Sequence, residues 1–206
     1  MQRRPRTTPR KKPRQGRSIA TVDAILDATA RVLCTTGYDR ASTNRIALAA
    51  GVSVGSLYQY FPSKEALVAA LAARHMAAMT SLLKDKLAEV AAAAMPVAVR
   101  TIIAAMFEAH AVDPRLHKVL IEEVPRVGRL ENLRGVEKEV EALVMGLLES
   151  RRHELRRTTD AKTMALLLVT VVEAATHAAV LAELEPARAS AVADELTDLV
   201  LRYLMP

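Results

Sequence analysis

The chain has 206 residues, enough for one large domain or two small ones with a buried core. Hydrophobic residues make up 51% of it and there are only 7 glycines, which excludes an intrinsically disordered chain and favours helices throughout. The single cysteine, Cys34, excludes an internal disulfide. It falls in an apolar helical pattern, so we expect a small buried hydrophobe rather than a redox sensor.

Charge is concentrated at the beginning of the chain. Residues 1–17 hold eight of the 29 lysines and arginines and no acidic residue, so the remaining residues carry 21 basic and 23 acidic side chains. The formal net charge of +6 therefore comes from this segment, which also contains three prolines and is expected to be disordered in isolation. It has no apolar h-region, so we expect no secretory signal and a cytoplasmic location.

The sequence contains no motif of catalysis or of cofactor binding. A phosphate-binding glycine loop, HExxH, a nucleophile elbow and a cysteine pair for a metal are all absent, and the five histidines are dispersed. We therefore expect no enzyme activity, no catalytic residue, no cofactor and no metal site. The strongest apolar run, residues 164–172, is too short to span a bilayer, so we expect no membrane partner.

The first predicted helix runs from residue 18 to about residue 36. Ser18 can cap its beginning, and apolar residues recur at helical spacing until Gly37, a residue type that commonly ends a helix. This helix is expected to be the floor on which the next two helices pack. Tyr38 is expected to lie beneath them.

Two short helices joined by a tight turn come next. Residues 44–50 form a small apolar helix, and Gly51 suits its left-handed end. Ser53 can cap a second helix over Val54–Tyr60, which Pro62 stops. A helix of about two turns is unstable alone in water, so its neighbours must brace it.

The second helix has a side that can face another molecule. If Leu57 and Phe61 anchor it to a core, its small and tyrosine residues point outward, where hydroxyls can donate to phosphates. This is the layout of a helix-turn-helix, whose second helix enters the DNA major groove. A helical hairpin with no DNA role is the alternative. The residues expected to contact DNA are Thr43, Arg45, Val54, Gly55, Ser56, Tyr58, Tyr60 and Lys64.

Next to such a motif, the basic segment at residues 1–17 is a candidate for DNA binding. We expect them to be an arm that follows the DNA backbone or an adjacent minor groove. A tail that only keeps the chain in solution is the alternative reading. For Tyr38, a phosphate contact is the alternative to packing beneath the motif.

The stretch from Thr43 to Leu67, with TNRIA, AGVS, GSLY, YF and KEAL at fixed spacing, resembles the signature of the tetracycline-repressor-like (TetR/AcrR) transcriptional regulators. The resemblance covers roughly residues 18–67. It implies an all-α fold, with an N-terminal three-helix helix-turn-helix domain at residues 18–62 and a larger helical regulatory and dimerisation domain at residues 63–206. The family dimerises through its last two helices and usually holds a small molecule in the larger domain.

The rest of the chain reads as helices. The predicted ranges are 63–94, 96–112, a short helix from 114 to near 125, then, after a loop at Val127 and Gly128, 130–157, 161–184 and 187–205. Asp160 can cap the helix at 161, and arginines 151, 152, 156 and 157 suit the end of the helix before it. The helix at 161–184 is apolar on more than one face and must be buried on several sides.

Two groups of residues in this larger part are candidates for binding. Those expected to hold a ligand are Ile103, Met106, Phe107, His110, Glu173 and His177. Glu173 and His177, four apart on the most apolar helix, can instead be a hydrogen-bonded pair of the core or of an interface. Those expected at a dimer interface of the last two helices are Leu168, Val172, Val192, Leu196, Leu199 and Tyr203.

The sequence thus predicts a dimeric, ligand-responsive regulator that represses transcription. Its partners would be double-stranded operator DNA of near-palindromic sequence, read by Val54–Tyr60, a second copy of the chain, and a small, largely apolar effector. A helical regulator that senses no small molecule is the first alternative. An all-α enzyme or carrier that keeps a helix-turn-helix fold is the second.

Overall fold

The computed structural model describes residues 16–123, 131–156 and 160–205, and every regular element in these ranges is helical. The all-α prediction is confirmed. The helices are α1 (Gly16–Arg40), α2 (Thr43–Ala49), α3 (Val54–Tyr60), α4 (Lys64–Glu89), α5 (Met95–Val112), α6 (Pro114–Glu123), α7 (Glu131–Ser150), α8 (Ala161–Leu181) and α9 (Pro186–Leu204). Residues 1–15 of the predicted arm, the loop at Val127 and Gly128, and Arg157 lie outside what is described, whereas the last two residues of the predicted arm, Gly16 and Arg17, belong to the first turn of α1.

The described residues fall into two compact units. The first contains α1, α2, α3, α4 as far as His75, and α6 from Arg115. The second contains α4 from Met76, α5, α7 from Asn132, α8 and α9. The predicted domain boundary between residues 62 and 63 stays a prediction, because α4 contributes to both units.

The first unit is built on α1. Its residues Ile25 and Leu33 are fully buried together with Ile46 of α2 and Leu57 of α3. Gly37 was predicted to end α1, and its backbone does leave the helical region there, at φ 71° and ψ 169°. A further helical turn follows this kink and carries the element on to Arg40.

The second unit has α5 in contact with both α8 and α9, and α8 in contact with α9. Its core contains Met95 and Ile103 of α5, Leu148 of α7, Met164 of α8 and Val200 of α9. Asp160 caps α8 as predicted, since its carboxylate accepts a hydrogen bond from the Thr163 amide at 2.9 Å.

Two helices end at least five residues earlier than their sequences predicted. α4 ends at Glu89 rather than 94, and α7 ends at Ser150 rather than 157, where a single turn of 3-10 helix, Arg152–Glu154, follows. The reason lies in Arg151. Its side chain was expected to serve its own helix end, but it is buried and donates hydrogen bonds to carbonyls of the turn after α4.

Three helices, α4, α5 and α8, are long and apolar enough by length and composition to cross a bilayer, although the longest apolar run in sequence is short. In the second unit, α5 and α8 bury apolar faces against each other and against α9. This packing buries only 33% of the apolar stretch of α5 and 28% of that of α8.

Candidate nucleic-acid interface and ligand site

The turn between α2 and α3 is closed by backbone and side-chain hydrogen bonds within a few residues. Gly51 has a φ of 68°, the left-handed conformation that glycine adopts without strain. The Val52 amide then donates to the Ala47 carbonyl at 3.0 Å. The Ser53 hydroxyl accepts from the Ser56 amide at 3.0 Å and so caps α3. The predicted bounds and cap of α3 are both confirmed.

α3 is held by its inner side and open on its outer side. Leu57 is 0% exposed and Phe61 2% exposed, so both are anchors in the core of the first unit. By contrast, Val54 is 37% exposed and Tyr58 39% exposed. A helix of seven residues therefore persists through burial of two side chains, and its remaining surface is available to a partner.

Two hydroxyls proposed for phosphate contacts lie side by side. The Thr43 Oγ1 of α2 and the Tyr58 hydroxyl of α3 are 3.1 Å apart, and either atom can be the donor. Each hydroxyl has one hydrogen and two lone pairs, so the pair can still donate one hydrogen bond outward. Tyr60, the other predicted tyrosine, is half-buried.

Arg45 is exposed on α2, two residues after Thr43. One of its terminal nitrogens donates to the Arg40 carbonyl at 3.1 Å, which holds the side chain along the end of α1. A guanidinium has five N–H donors, so others can still reach a phosphate or a base edge. Ser42, whose hydroxyl accepts from the Arg45 amide at 3.3 Å, caps α2.

Lys64 is tied to Tyr38, at the end of α1. Its ammonium donates to the Tyr38 carbonyl at 2.8 Å and lies 3.9 Å from the centre of the Tyr38 ring. The Tyr38 hydroxyl donates to the Glu65 carboxylate at 3.2 Å, so Tyr38 braces α4. Burial raises the pKa of Glu65, but hydrogen bonds from its own backbone, Ser63 and Tyr38 outweigh this and hold that pKa below its usual value.

One residue of the outer side of α3 is missing from the sequence prediction. Gln59 is exposed, like Gly55 one turn earlier. The signal that could have found it is its position two residues after the anchor Leu57, which places it on the opposite side of the helix. An amide on that side can pair with a base edge.

The predicted ligand residues lie in the second unit, where the structure brings two histidines together. His110 of α5 is 2% exposed, and its Nδ1 is 2.6 Å from the Met106 carbonyl. Its ring centre is 5.5 Å from that of His177 on α8. Because a carbonyl can only accept, His110 donates from Nδ1.

The other ligand candidates differ in how deeply they are buried. Ile103 is a core residue at 2% exposure, and Phe107 packs against the same core. Glu173 is half-buried. Burial lowers the pKa of His177 below its usual value of 6.5, so its neutral form is favoured. The sequence paired His177 with Glu173, and the structure adds a ring contact with His110 that the spacing could not reveal.

The predicted interface residues differ in how far they are exposed. Leu196 is only 6% exposed and belongs to the core of its own chain, so it is not available to a second copy. Val192 is half-buried. Leu168, Val172 and Tyr203 pack against the core from partly buried positions, whereas Leu199 is 56% exposed. The reason is that Leu196, Val200 and Leu204, spaced by four, form the inward stripe of α9.

Exposed leucines on α8 were not predicted. Leu166 is 52% exposed and Leu167 48% exposed. With Leu199 they are the large apolar side chains most exposed on the two C-terminal helices among the described residues.

The fold and the α2–turn–α3 geometry define a helix-turn-helix protein with a larger helical unit. Residues 25–71 match the profile of the family described as "Bacterial regulatory proteins, tetR family". Residues 94–204, more than half of the chain, match "Tetracyclin repressor-like, C-terminal domain". The chain belongs to the TetR family of transcriptional regulators, which are DNA-binding proteins and not enzymes.

Solved structures of regulators share the fold. The fatty acid degradation regulator FadR from Bacillus halodurans has a TM-score of 0.75 and 20% identity, over 92% of this chain and 97% of that chain. FadR from Bacillus subtilis in complex with stearoyl-CoA has a TM-score of 0.72 and 19% identity, over 88% and 98%. At this identity the likeness concerns the fold alone.

A curated relative is similar over a shorter stretch. The A-factor receptor protein of Streptomyces griseus is 41% identical over 58 residues, which are 28% of this chain. The match covers only 21% of that relative's length.

Proposed function

We propose that this TetR-family regulator is a dimeric, ligand-responsive repressor of the cytoplasm that binds a near-palindromic operator through α3. The observation that carries the proposal is the state of α3, whose inner side is buried through Leu57 and Phe61 while Val54 and Tyr58 remain exposed. Two such helices related by a dyad would read half-sites about 34–36 Å apart, or a multiple of that distance. We propose the division expected from sequence, namely an arm at 1–17, a DNA-binding part at 18–62 and a regulatory part at 63–206.

The contacts divide into two kinds. Thr43, Tyr58, Tyr60 and Lys64 would bind phosphates and set the register of α3 on the duplex. Arg45 would reach a phosphate or a base. On α3, Gly55 would let the backbone approach the DNA closely. Val54 would contact a thymine methyl, and Ser56 would lie at a base edge.

Removing the Tyr58 hydroxyl should weaken operator binding. We expect Tyr58→Phe to raise the Kd roughly 5- to 30-fold, because a hydrogen bond to a charged phosphate contributes about 1–2 kcal/mol. The change would be measured by fluorescence anisotropy on a labelled duplex. The control is Thr35→Val, which removes an exposed hydroxyl of α1 that bonds to carbonyls of its own helix, and it should bind as tightly as the unmodified chain. Equal Kd values for Tyr58→Phe and the unmodified chain would remove the phosphate contact.

The dimer would form through the exposed apolar side chains of α8 and α9. Leu166, Leu167 and Leu199 each leave about half of their surface uncovered in one chain, which supports an interface there.

Leu199→Asp should convert the protein to monomers, because it places an unpaired charge in an apolar interface. Light scattering at micromolar concentration would measure the mass. Val97→Asp is a matched control, since Val97 is 54% exposed but lies on α5, and it should remain dimeric. A dimer that survives in the Leu199 variant would place the interface elsewhere.

The effector would be a small, largely apolar molecule bound among the helices of the second unit. The ring pair of buried His110 and half-buried His177 offers polar groups on the same two helices, α5 and α8, that contribute to the aliphatic core of the second unit. A fold relative binds stearoyl-CoA, a molecule with a long apolar chain, which supports the same chemical class here. The effector would act only by binding one spacing of the two α3 helices more tightly than the other.

We expect the free energy of unfolding to decrease in mild acid because His177 takes up a proton less readily in the folded chain. Because burial lowers its pKa below 6.5, the unfolded chain binds the proton more readily, and the free energy of unfolding should decrease as the pH falls through that value. His177→Gln should show a smaller decrease between about pH 7.5 and 5.5 in urea unfolding, relative to His153→Gln on an exposed residue. Identical slopes in the two variants would contradict the assignment.

A gel shift with the DNA that flanks the gene tests the proposal as a whole. We expect a shifted band for a dimer, lost on adding an excess of an apolar effector such as a long-chain acyl-CoA. Absence of any shift at low salt would contradict DNA binding, while a shift that no acyl compound reverses would contradict the effector class.

A further inference from the structure

Gln59 occupies the outermost position of α3 together with Gly55. Successive residues of a helix are turned by about 100°, so Leu57 and Phe61, four apart, mark its inner direction. The opposite direction is taken by Gly55 and Gln59, which are also four apart and both exposed. Ser56 and Tyr58 lie toward the flanks, and Val54, three residues before Leu57, lies on the side of the anchors at the first position of α3, where it is 37% exposed. Any molecule that meets α3 head-on therefore meets Gly55 and Gln59 first.

The fold itself does not require a glycine at position 55. Among the described glycines, only Gly37 and Gly51 have a positive φ, so Gly55 has a backbone conformation open to any residue. A Cβ built there would come no closer than 3.9 Å to another group, the Ser53 hydroxyl. Because glycine within a helix is less stable than alanine, the chain gains nothing internally from it. The missing side chain instead clears space for an approaching surface.

The neighbours of Gln59 on α3 are poorly suited to distinguish base pairs. Val54 has no polar atom, and the Ser56 hydroxyl is 2.8 Å from that of Ser53. The Tyr58 hydroxyl lies beside Thr43. Gln59 carries a donor and an acceptor on one planar amide, which matches N7 and the N6 amino group of adenine in the major groove.

We infer that Gln59 is a specificity-determining residue, which reads one adenine in each half-site through two hydrogen bonds while Gly55 lets α3 approach the groove floor. The inference rests on the proposed operator binding and names the base that α3 selects. It goes beyond phosphate contacts, which carry no sequence information.

The test begins with duplexes that contain a random core, selected for binding by the unmodified chain. We expect a near-palindromic sequence with adenine at one fixed position in each half. Gln59→Ala should lose the preference at that position by roughly 10- to 100-fold and keep the other preferences. Asn44→Ala is the matched control, because Asn44 is an exposed amide on α2 with the same chemistry, and this variant should keep the adenine preference.

A single-atom change in the DNA then separates a direct contact from an indirect effect. Replacing the selected adenine by 7-deazaadenine removes the N7 acceptor and should weaken binding by the unmodified chain several-fold, but not binding by Gln59→Ala. Gln59→Glu should shift the preference toward cytosine, whose amino group a carboxylate accepts. Equal weakening of both proteins by the modified base would overturn the inference.

Gly55→Ala checks the second part of the inference. It should denature at the same or a higher urea concentration than the unmodified chain, yet bind every duplex at least 10-fold more weakly. Normal binding by this variant would show that α3 does not approach as closely as inferred.

If the unmodified chain enriches no sequence at all, the proposed function fails and Gln59 loses its role with it. If it enriches a sequence that Gln59→Ala enriches equally, only the role of Gln59 fails.

Discussion

Replacing Arg151 by alanine should lower the free energy of unfolding by about 3 kcal/mol. Arg151 is 7% exposed, and its guanidinium donates to three carbonyls of the turn after α4, those of Val90, Ala91 and Ala93, at 2.5–2.9 Å. Hydrogen bonds from a charged donor contribute more than neutral ones, and removing the donor takes this partner from all three carbonyls, although that of Val90 keeps the hydrogen bond from the Ala93 amide at 3.0 Å. Urea unfolding monitored by circular dichroism would measure the loss.

Two further variants isolate the cause. Arg151→Lys keeps the charge but not the planar fork, and should lose about 1–2 kcal/mol because one ammonium cannot reach three carbonyls with good geometry. Arg152→Ala removes an exposed arginine next to it and should change stability by less than about 0.5 kcal/mol. If Arg151→Ala is no less stable than Arg152→Ala, the turn after α4 does not depend on this side chain.

Removing residues 1–17 should greatly reduce the salt dependence of operator binding. The segment carries eight positive charges, and each phosphate contact contributes about 0.9 to the slope of log K against log salt. If about half of these charges contact phosphates, the intact chain should lose roughly 100-fold more affinity than the shortened one between about 50 and 200 mM salt. Anisotropy titrations at a series of salt concentrations would give both slopes.

A chain of unchanged length provides the control for this deletion. Substituting the eight lysines and arginines of residues 1–17 by glutamine keeps the segment but not its charge, and should reproduce the slope of the shortened chain. A slope that neither variant alters would mean that the segment is a passive tail. The same experiment thereby decides between the two readings that the sequence left open.

The DNA-reading helix could be predicted from the sequence because its determinants are local. Gly51, Ser53 and the anchors Leu57 and Phe61 lie within eleven residues of one another, and each acts on backbone groups or side chains nearby. The family profile confirms the regulator class that this stretch indicated. Gln59, absent from the predicted DNA contacts, lies in the same stretch. Its place on the outermost side follows from its spacing of two residues from Leu57.

Other features depended on segments far apart in the chain. The sequence alone determined the helical class, the caps of α3 and α8 and the bounds of α3, since these follow from the spacing of residues a few positions apart, whereas Ser18, the predicted cap of α1, lies inside that helix. Only the tertiary structure decided that Arg151 bonds to a turn some sixty residues earlier, that Leu196 faces inward while Leu199 faces outward, and that His110 meets His177. Periodicity shows that a helix has an apolar side, but which residues of that side are covered depends on the neighbouring helices that pack against it.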